Sequence, residues 1–177
     1  EPGPIYTYGP LIHNQQVMKL LESKGVHVAK DISGLREGTI VIRAHGIPPQ
    51  ERRLLKGSGL KLIDATCPRV ARVQALIRYH THKGYLAVIV GEPDHPEVIG
   101  LKGHGNGKAM VISSAEEVSL LPESDKVLVV AQTTQEKHSY DIIVEALKKR
   151  FPKALVFNTI CGATASRQEE VRALAAH

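Results

Sequence analysis

Residues 86–98 read LAVIVGEPDHPEV, and this stretch shows the unit from which the fold is built. The first five residues are apolar and mostly β-branched, which predicts a short buried strand. Gly91 and the polar residues after it predict a turn, and the segment HPEV at 95–98 predicts the start of a helix. The stretch therefore predicts a strand that passes through a turn into a helix.

Strand and helix patterns of this kind alternate along the chain. The predicted strands lie near residues 5–8, 26–29, 39–44, 61–65, 86–91, 109–113, 126–131 and 154–158. The predicted helices lie near residues 15–24, 49–56, 69–82, 96–102, 115–121, 136–150 and 163–175. This alternation predicts an α/β fold in which parallel sheets are flanked by helices.

The order of the motifs repeats once along the chain. The first half contains LIHNQQV at 11–17, IVIRAHG at 40–46 and LIDATC at 62–67, and the second half contains PDHPEV at 93–98, VLVVAQT at 127–133 and IC at 160–161. The repeat pairs His13 with His95, His45 with Thr133, and Cys67 with Cys161. We therefore expect two quasi-repeated α/β units, residues 1–83 and residues 84–177.

The paired residues share one structural setting. Each follows the carboxyl end of a predicted strand and precedes a predicted helix. Open α/β sheets bind ligands at this edge, where helix N-termini present free N–H groups and the positive ends of their dipoles. Two such units facing each other would gather thiols, imidazoles, a threonine and the carboxylate of Glu97 around one cleft.

Composition and charge restrict the partners of the protein. The 177 residues carry 23 Lys and Arg against 18 Asp and Glu, a net charge of +5, and include nine His. Aromatic residues are few and the basic residues form no run, so we expect a small phosphorylated ligand and no nucleic-acid partner. No apolar run approaches the ~18 residues of a membrane span, and the start EPGP lacks the features of a signal peptide. We expect a cytoplasmic protein with no membrane partner.

The two cysteines occupy matching positions, which favours a shared role. Cys67 precedes Pro68 at a predicted helix start, and the positive end of a helix dipole favours the thiolate that binds metals. A single buried cysteine can also be a small apolar residue. A zinc site could combine both thiols with His45 and His95, although no local ligand pair is present. An iron–sulfur cluster tolerates distant cysteines but usually needs three or four.

The polar residues at the other strand ends also have two interpretations each. Glu97 could donate a proton to a group that His95 also contacts, or it could be a carboxylate favoured at a helix start. His45 could bind a ligand or be partly buried in the fold, His13 could bind phosphate beside a helix cap, and Thr133 could be a hydroxyl ligand or a cap. The remaining six histidines are predicted to lie on polar faces or loops without a function: His27, His80, His82, His104, His138 and His177.

Taken together, these motifs resemble those of the LytB/IspH family, the 4-hydroxy-3-methylbut-2-enyl diphosphate reductases, and they occur in the order found in that family. The resemblance runs through the whole chain and rests on IHN at 12–14, RAHG at 43–46, DATCP at 64–68, HPEVIG at 95–100, QTT at 132–134, and IC at 160–161 with AT at 163–164 and RQ at 167–168.

The resemblance implies a [4Fe-4S] cluster held by three cysteines, one in each of three repeats. Cys67 and Cys161 match two of these ligands, His13, His45 and His95 match contacts to the substrate, Thr133 matches a hydrogen bond to it, and Glu97 matches the proton source. The implied reaction is the reductive dehydroxylation of an allylic diphosphate to isopentenyl and dimethylallyl diphosphate, at the end of the methylerythritol phosphate route to isoprenoids. Ferredoxin or flavodoxin is the implied electron donor.

Two family motifs do not occur in the sequence: an N-terminal segment with Gly and Cys, and a C-terminal Ser-Ser-Asn segment. We therefore expect the chain to cover two of the three units of a trefoil-like arrangement and to lack the third cluster ligand. A catalytically incomplete fragment that binds diphosphate and a zinc-binding α/β protein are the alternatives.

Overall fold

The structure is a computed structural model that describes residues 3–12 and 14–175, apart from the side chain of Ala165. Its elements follow the predicted alternation. The strands are β1 (Ile5–Tyr8), β2 (Val26–Ala29), β3 (Thr39–Ile42), β4 (Lys61–Asp64), β5 (Leu86–Val90), β6 (Ala109–Ile112), β7 (Val127–Ala131) and β8 (Leu155–Val156). The helices are α1 (Gln15–Ser23), α2 (Pro49–Gly57), α3 (Pro68–His82), α4 (Pro96–Gly103), α5 (Lys137–Arg150) and α6 (Gly162–Ala175), with a 3₁₀ helix at Glu116–Leu120.

The strands form two parallel sheets with the same topology. The first sheet has the order β2-β1-β3-β4 and the second the order β6-β5-β7-β8. In the first sheet β1 pairs with β3, and in the second sheet β5 pairs with β7. The strand order reverses between the two strands of each of these pairs. The α/β class with parallel sheets and flanking helices is confirmed, and the equal strand order agrees with the repeat in the sequence.

The second sheet is buried on both faces. All of β7 and most of β5 are buried, as expected for the central strands of a parallel sheet. One face packs against α5, and the other packs against α3 and α4. The core of the first sheet lies on the face that carries Ile40 and Ile42 and includes Leu55 of α2. The carboxyl ends of β5 and β7 are thus held in a well-packed layer.

Helix α3 connects the two parts of the fold. It follows β4 of the first sheet, but Val70, Val73 and Ile77 pack against the second sheet. The division between residues 1–83 and 84–177 stays a prediction. Helix α3 precedes this boundary in sequence, but its side chains belong to the core of the second sheet. The two sheets are therefore joined through shared packing as well as through the chain.

Two predicted elements are shorter than expected. Strand β8 ends at Val156 because the hydroxyl group of Thr159 replaces the ladder: it donates to the carbonyl of Ala131 at 2.6 Å and accepts its N–H at 2.8 Å. The helix predicted at 115–121 is a 3₁₀ helix, and Leu121 is extended because it precedes Pro122. No helix in the described part of the chain is long and apolar enough to cross a membrane.

Candidate active site

The two sheets present their loops at the carboxyl ends of the strands, and the site is built there. Glu97 lies in the first turn of α4, and Thr133 follows the end of β7 by two residues. The backbone N–H of Thr133 donates to one carboxylate oxygen of Glu97, and its hydroxyl group donates to the other, both at 2.7 Å. Glu97 is only 2% exposed and Thr133 7%, so the pair is shielded from water. The N-terminal end of α4 favours the negative charge.

His95 is the residue that caps α4. Its Nδ1 accepts the backbone N–H of Glu97 at 3.1 Å. An imidazole that accepts through Nδ1 carries its proton on Nε2 when it is neutral, which fixes the tautomer of this ring. The same short segment therefore orients an imidazole N–H donor and a carboxylate.

His45 lies in the turn after β3 and meets His95 from the other sheet. The two rings are 5.4 Å apart between centroids and cross at 83°. The turn depends on Gly46, whose φ is +69°, and a Cβ atom there would lie 2.3 Å from Nε2 of Gln74. Glycine alone fits this position without a shift of its neighbours. The structure thus brings the two imidazoles together, and their role in binding a substrate stays a prediction.

Both cysteines are tied to the loops that carry these residues. The N–H of Cys67 donates to the carbonyl of Ala44 at 2.9 Å, and the N–H of Cys161 donates to the carbonyl of Thr133 at 2.8 Å. Both thiols are half-buried and free, and Cys67 precedes α3 without capping it through its side chain. The hydrogen bonds match Ala44 with Thr133, so the pairing of His45 with Thr133 from the sequence is off by one residue.

The donor set fits part of an iron–sulfur site. The thiols of Cys67 and Cys161 are of the right type for such a cluster, and neither forms a disulfide. Among the described residues, no group of three or more His, Cys, Asp or Glu side chains is placed to hold a metal ion.

Gln132 is a site residue that the sequence indicated only as part of the QTT motif at 132–134. It is 3% exposed, its Oε1 accepts the N–H of Glu92 at 3.0 Å, and its Nε2 donates to the hydroxyl group of Thr134 at 2.9 Å. It thus ties the loop after β5 to the loop after β7. The sequence signals were the QTT motif and the position of Gln132 directly after the apolar run at 127–131.

On the side of the first sheet, the guanidinium group of Arg43 and the helix cap Asn14 lie near the loops of the site. Burial lowers the pKa of Arg43, which lies two residues before His45, and the nearby Glu51 opposes this shift. Asn14 caps α1 by accepting the N–H groups of Gln16 and Val17 at 3.0 and 3.1 Å. His13, which was predicted to bind substrate, lies outside the described residues.

The chain is similar to one family throughout its length. The family model described as LytB protein matches residues 1–177. A 4-hydroxy-3-methylbut-2-enyl diphosphate reductase of Geotalea uraniireducens (strain Rf4) is 44% identical over 173 residues, covering 98% of this chain and 61% of the relative. The reductase of Alkaliphilus oremlandii (strain OhILAs) is 40% identical over 171 residues, covering 97% of this chain and 61% of the relative.

Two solved structures share the fold. The E-1-hydroxy-2-methyl-but-2-enyl-4-diphosphate reductase from Plasmodium falciparum matches with a TM-score of 0.90 and 31% identity, over 96% of this chain and 54% of that one. An (E)-4-hydroxy-3-methyl-but-2-enyl diphosphate reductase, described as the terminal enzyme of the non-mevalonate pathway, matches with a TM-score of 0.85 and 41% identity, over 98% and 63%. The chain spans about three fifths of the length of the curated relatives it matches.

Proposed function

Because the chain belongs to the LytB protein family, we propose that it carries part of the active site of a 4-hydroxy-3-methylbut-2-enyl diphosphate reductase. In this reaction the substrate takes up two electrons and two protons, loses its hydroxyl group as water, and gives isopentenyl or dimethylallyl diphosphate. The observation that carries the proposal is the buried pair of Glu97 and Thr133 next to His95, which itself faces His45.

The imidazoles bind the anionic part of the substrate. His95 accepts through Nδ1, so its Nε2–H is the group that donates to a phosphate or hydroxyl oxygen. His45 approaches the same space from the first sheet. Charge-assisted hydrogen bonds to phosphate are stronger than neutral ones, and the net charge of +5 favours an anionic ligand. His13 is proposed as a third contact on the basis of the resemblance.

Glu97 and Thr133 supply the proton to the leaving hydroxyl group. When Glu97 is protonated, it donates to the hydroxyl oxygen of Thr133, 2.7 Å away, and the proton of Thr133 turns toward the substrate. The proton then passes from Glu97 through Thr133 to the departing oxygen without movement of either oxygen atom. A buried acid within hydrogen-bond distance of its relay is the geometry that general acid catalysis needs.

Cys67 and Cys161 are proposed as two ligands of a [4Fe-4S] cluster, whose third protein ligand is not one of the two cysteines of this chain. When bound, such a cluster supplies electrons and a Lewis acid for the leaving oxygen. The thiols are held by the backbone hydrogen bonds to Ala44 and Thr133, which keep them beside the loops of the acid and the imidazoles. A small electron carrier such as ferredoxin or flavodoxin, in the cytoplasm, is part of this proposal.

The proposal is tested in a chimera in which this chain replaces the matching 173 residues of the Geotalea uraniireducens relative. The chimera is loaded with iron and sulfide without oxygen, and substrate reduction is measured with a dithionite-driven mediator. We expect turnover, and we expect Glu97→Gln to lower it by roughly 100- to 10,000-fold with little change in substrate affinity. Glu145→Gln, at an exposed position of α5, is the matched control and should leave turnover unchanged.

Different failures have different meanings in this experiment. A chimera that binds substrate and the cluster without turnover supports the alternative of a diphosphate-binding fragment. A colourless protein with stoichiometric zinc supports the zinc alternative. A Glu97→Gln variant that turns over within a factor of a few of the parent removes Glu97 as the proton source.

A further inference from the structure

The loops that carry the two cysteines contain the same kind of turn. The side-chain Oδ1 of Asp64 accepts the backbone N–H of Thr66 at 3.0 Å, and Oδ1 of Asn158 accepts the backbone N–H of Ile160 at 3.1 Å. Each bond closes an Asx turn, in which a side chain serves as the partner of the N–H two residues further along the chain. In each unit the next residue is the cysteine, so the same turn precedes both thiols.

Each cysteine is also held by its own backbone. The N–H of Cys67 donates to the carbonyl of Ala44 at 2.9 Å, and the N–H of Cys161 donates to that of Thr133 at 2.8 Å. A helix begins directly after each cysteine, α3 in the first unit and α6 in the second. The turn fixes the residue in front of the thiol, the backbone bond fixes the cysteine, and the helix fixes the chain behind it.

The two loops differ in the bond that lies inside the turn. In the first unit the backbone N–H of Ala65 donates to the carbonyl of Ile42 at 3.0 Å. In the second unit the hydroxyl group of Thr159 donates to the equivalent carbonyl, that of Ala131, at 2.6 Å. The backbone bonds therefore differ between the units, whereas the Asx bond in front of the cysteine is the same in both.

The two turn residues differ in charge but supply the same acceptor. The carboxylate of Asp64 also accepts from the hydroxyl group of Thr66 and from the guanidinium group of Arg52 on α2. The pair with Arg52 is solvent-exposed, so it contributes little to stability. Asn158 is neutral, and its amide oxygen closes the turn as the carboxylate does. The Asx bond therefore does not depend on a negative charge.

We propose that Asp64 and Asn158 are positioning residues that orient the thiols of Cys67 and Cys161 through their Asx turns. Both thiols are half-buried and free, and ligands from distant parts of a chain need a fixed direction to meet at one metal group. The effect of the turns on the thiols is independent of the proposed function. Their importance for a [4Fe-4S] cluster rests on it.

The test measures how fast each thiol is alkylated in the metal-free 177-residue chain, by mass spectrometry of the two cysteine peptides. We expect Asp64→Ala to speed the alkylation of Cys67 about fivefold and to leave Cys161 unchanged, and Asn158→Ala to do the reverse. This factor is the change in a local opening equilibrium that the loss of one hydrogen bond produces. A general loss of stability would speed both thiols, so selectivity distinguishes positioning from a merely structural role.

Conservative variants separate the turn from the charge. Asp64→Asn and Asn158→Asp keep the Oδ1 acceptor and change the charge, and their alkylation rates should stay within about twofold of the parent. Asp31→Ala is the matched control and should change neither rate, because Oδ1 of Asp31 accepts the N–H of Ser33 at 3.0 Å in an exposed Asx turn that precedes no cysteine.

Three results would overturn the inference. The first is an equal rise at both thiols in an alanine variant, and the second is no rise in either variant. The third is a rise in Asp64→Asn as large as that in Asp64→Ala, since charge would then explain the effect. All the substituted residues are exposed, and if one alanine variant does not fold by circular dichroism, the variant in the other unit decides the question.

Cluster binding separates this inference from the proposed function. In the chimera with the Geotalea uraniireducens relative, loaded with iron and sulfide, we expect both alanine variants to lose iron to a chelator about tenfold faster than the parent, because groups that orient a metal ligand contribute roughly 10- to 100-fold to affinity. Selective alkylation together with a parent chimera that binds no cluster supports the positioning role and counts against the proposed function. Faster loss of iron without selective alkylation counts against the positioning role.

Discussion

Thr133→Val is the substitution that tests the buried acid most directly. It removes the hydroxyl group that donates to Glu97 at 2.7 Å, nearly keeps the volume of the side chain, and leaves the backbone N–H contact in place. One carboxylate oxygen of Glu97 then lacks its hydroxyl partner, and Glu97 is only 2% exposed, so water cannot readily replace that partner. The change isolates one hydrogen bond to one buried charge.

The size of the effect follows from burial and charge. A hydrogen bond to a charged group contributes about 1.5 to 3 kcal/mol, and a buried acceptor without its partner costs about 1 to 3 kcal/mol. These two figures describe the same loss, so we expect the free energy of unfolding to fall by about 2 kcal/mol. Glu97→Gln should cost less, because its amide can accept from the N–H of Thr133 and donate to the hydroxyl oxygen.

The assay is urea unfolding at neutral pH, followed by circular dichroism and by a second probe to check two-state behaviour. Thr81→Val is the matched control, since Thr81 is 3% exposed but its hydroxyl group donates to the neutral carbonyl of Ile77 in its own helix. We expect this control to lose less than half as much stability as Thr133→Val. Equal losses in the two variants would refute the view that Glu97 is a buried charge dependent on Thr133.

Two further predictions concern titratable groups. Burial lowers the pKa of His104, and the charges of Arg78 on α3 and Arg52 on α2 lower it further, while the backbone of Ile47 raises it. Because the unfolded state then binds more protons, the free energy of unfolding is at its full value above pH 6.5 and falls as the pH drops below it. His104→Gln should flatten this loss, as measured by urea unfolding from about pH 7 to 5. Glu136 caps α5 by accepting the N–H groups of Ser139 and His138, and these hydrogen bonds lower its pKa to about 2. Its contribution to the free energy of unfolding is present above its ordinary pKa and is lost as the pH falls toward 2. Glu136→Ala should lower the free energy of unfolding by about 1 kcal/mol at neutral pH and by less at about pH 3, as measured by urea unfolding.

The fold was predictable because its signals are local. The short, β-branched apolar runs at β5 and β7 favour strands of a sheet that is buried on both faces. The prolines at 68 and 96 mark helix starts without any information from tertiary structure. The predicted length of strand β8 was too great because the hydroxyl group of Thr159 takes the backbone hydrogen bonds of Ala131 that a longer strand would form. The hydrophobic periodicity of the sequence does not reveal such a side-chain hydrogen bond.

The site was predictable only in part. Glu97, Thr133, His45 and His95 were singled out from their positions at strand ends, and the two close pairs among them depend on the same topology. His104 lies in the turn after α4, as its predicted position on a polar face or loop allows, but its burial was not predicted, because it arises from packing between segments far apart in sequence. Gln132 was underestimated for the same reason, since its partner Glu92 lies 40 residues away.

The two units use equivalent positions in different ways. The backbone bonds of the cysteines match Arg43 with Gln132, and each of these side chains covers a glycine at the end of the first strand of its unit, Gly9 or Gly91. Gln132 accepts the N–H of Glu92, the residue after Gly91, whereas Gly9 is followed by Pro10, which has no N–H to give. Arginine is a donor only, so the first unit cannot form the same tie between its loops.

This difference leaves α4 as one of the elements that hold the turn of His45 next to the second unit. In the second unit, Gln132 and the Glu97–Thr133 pair fix the loops to each other. The turn of His45 has no such tie from Arg43 within the described residues; it is held by the N–H of Cys67 on the carbonyl of Ala44 and it packs against α4. Since the eight residues of α4 span about 12 Å at 1.5 Å each, a rigid helix of that length connects the acid at one end to the turn at the other. A displacement of α4 therefore moves the acid relative to the turn of His45.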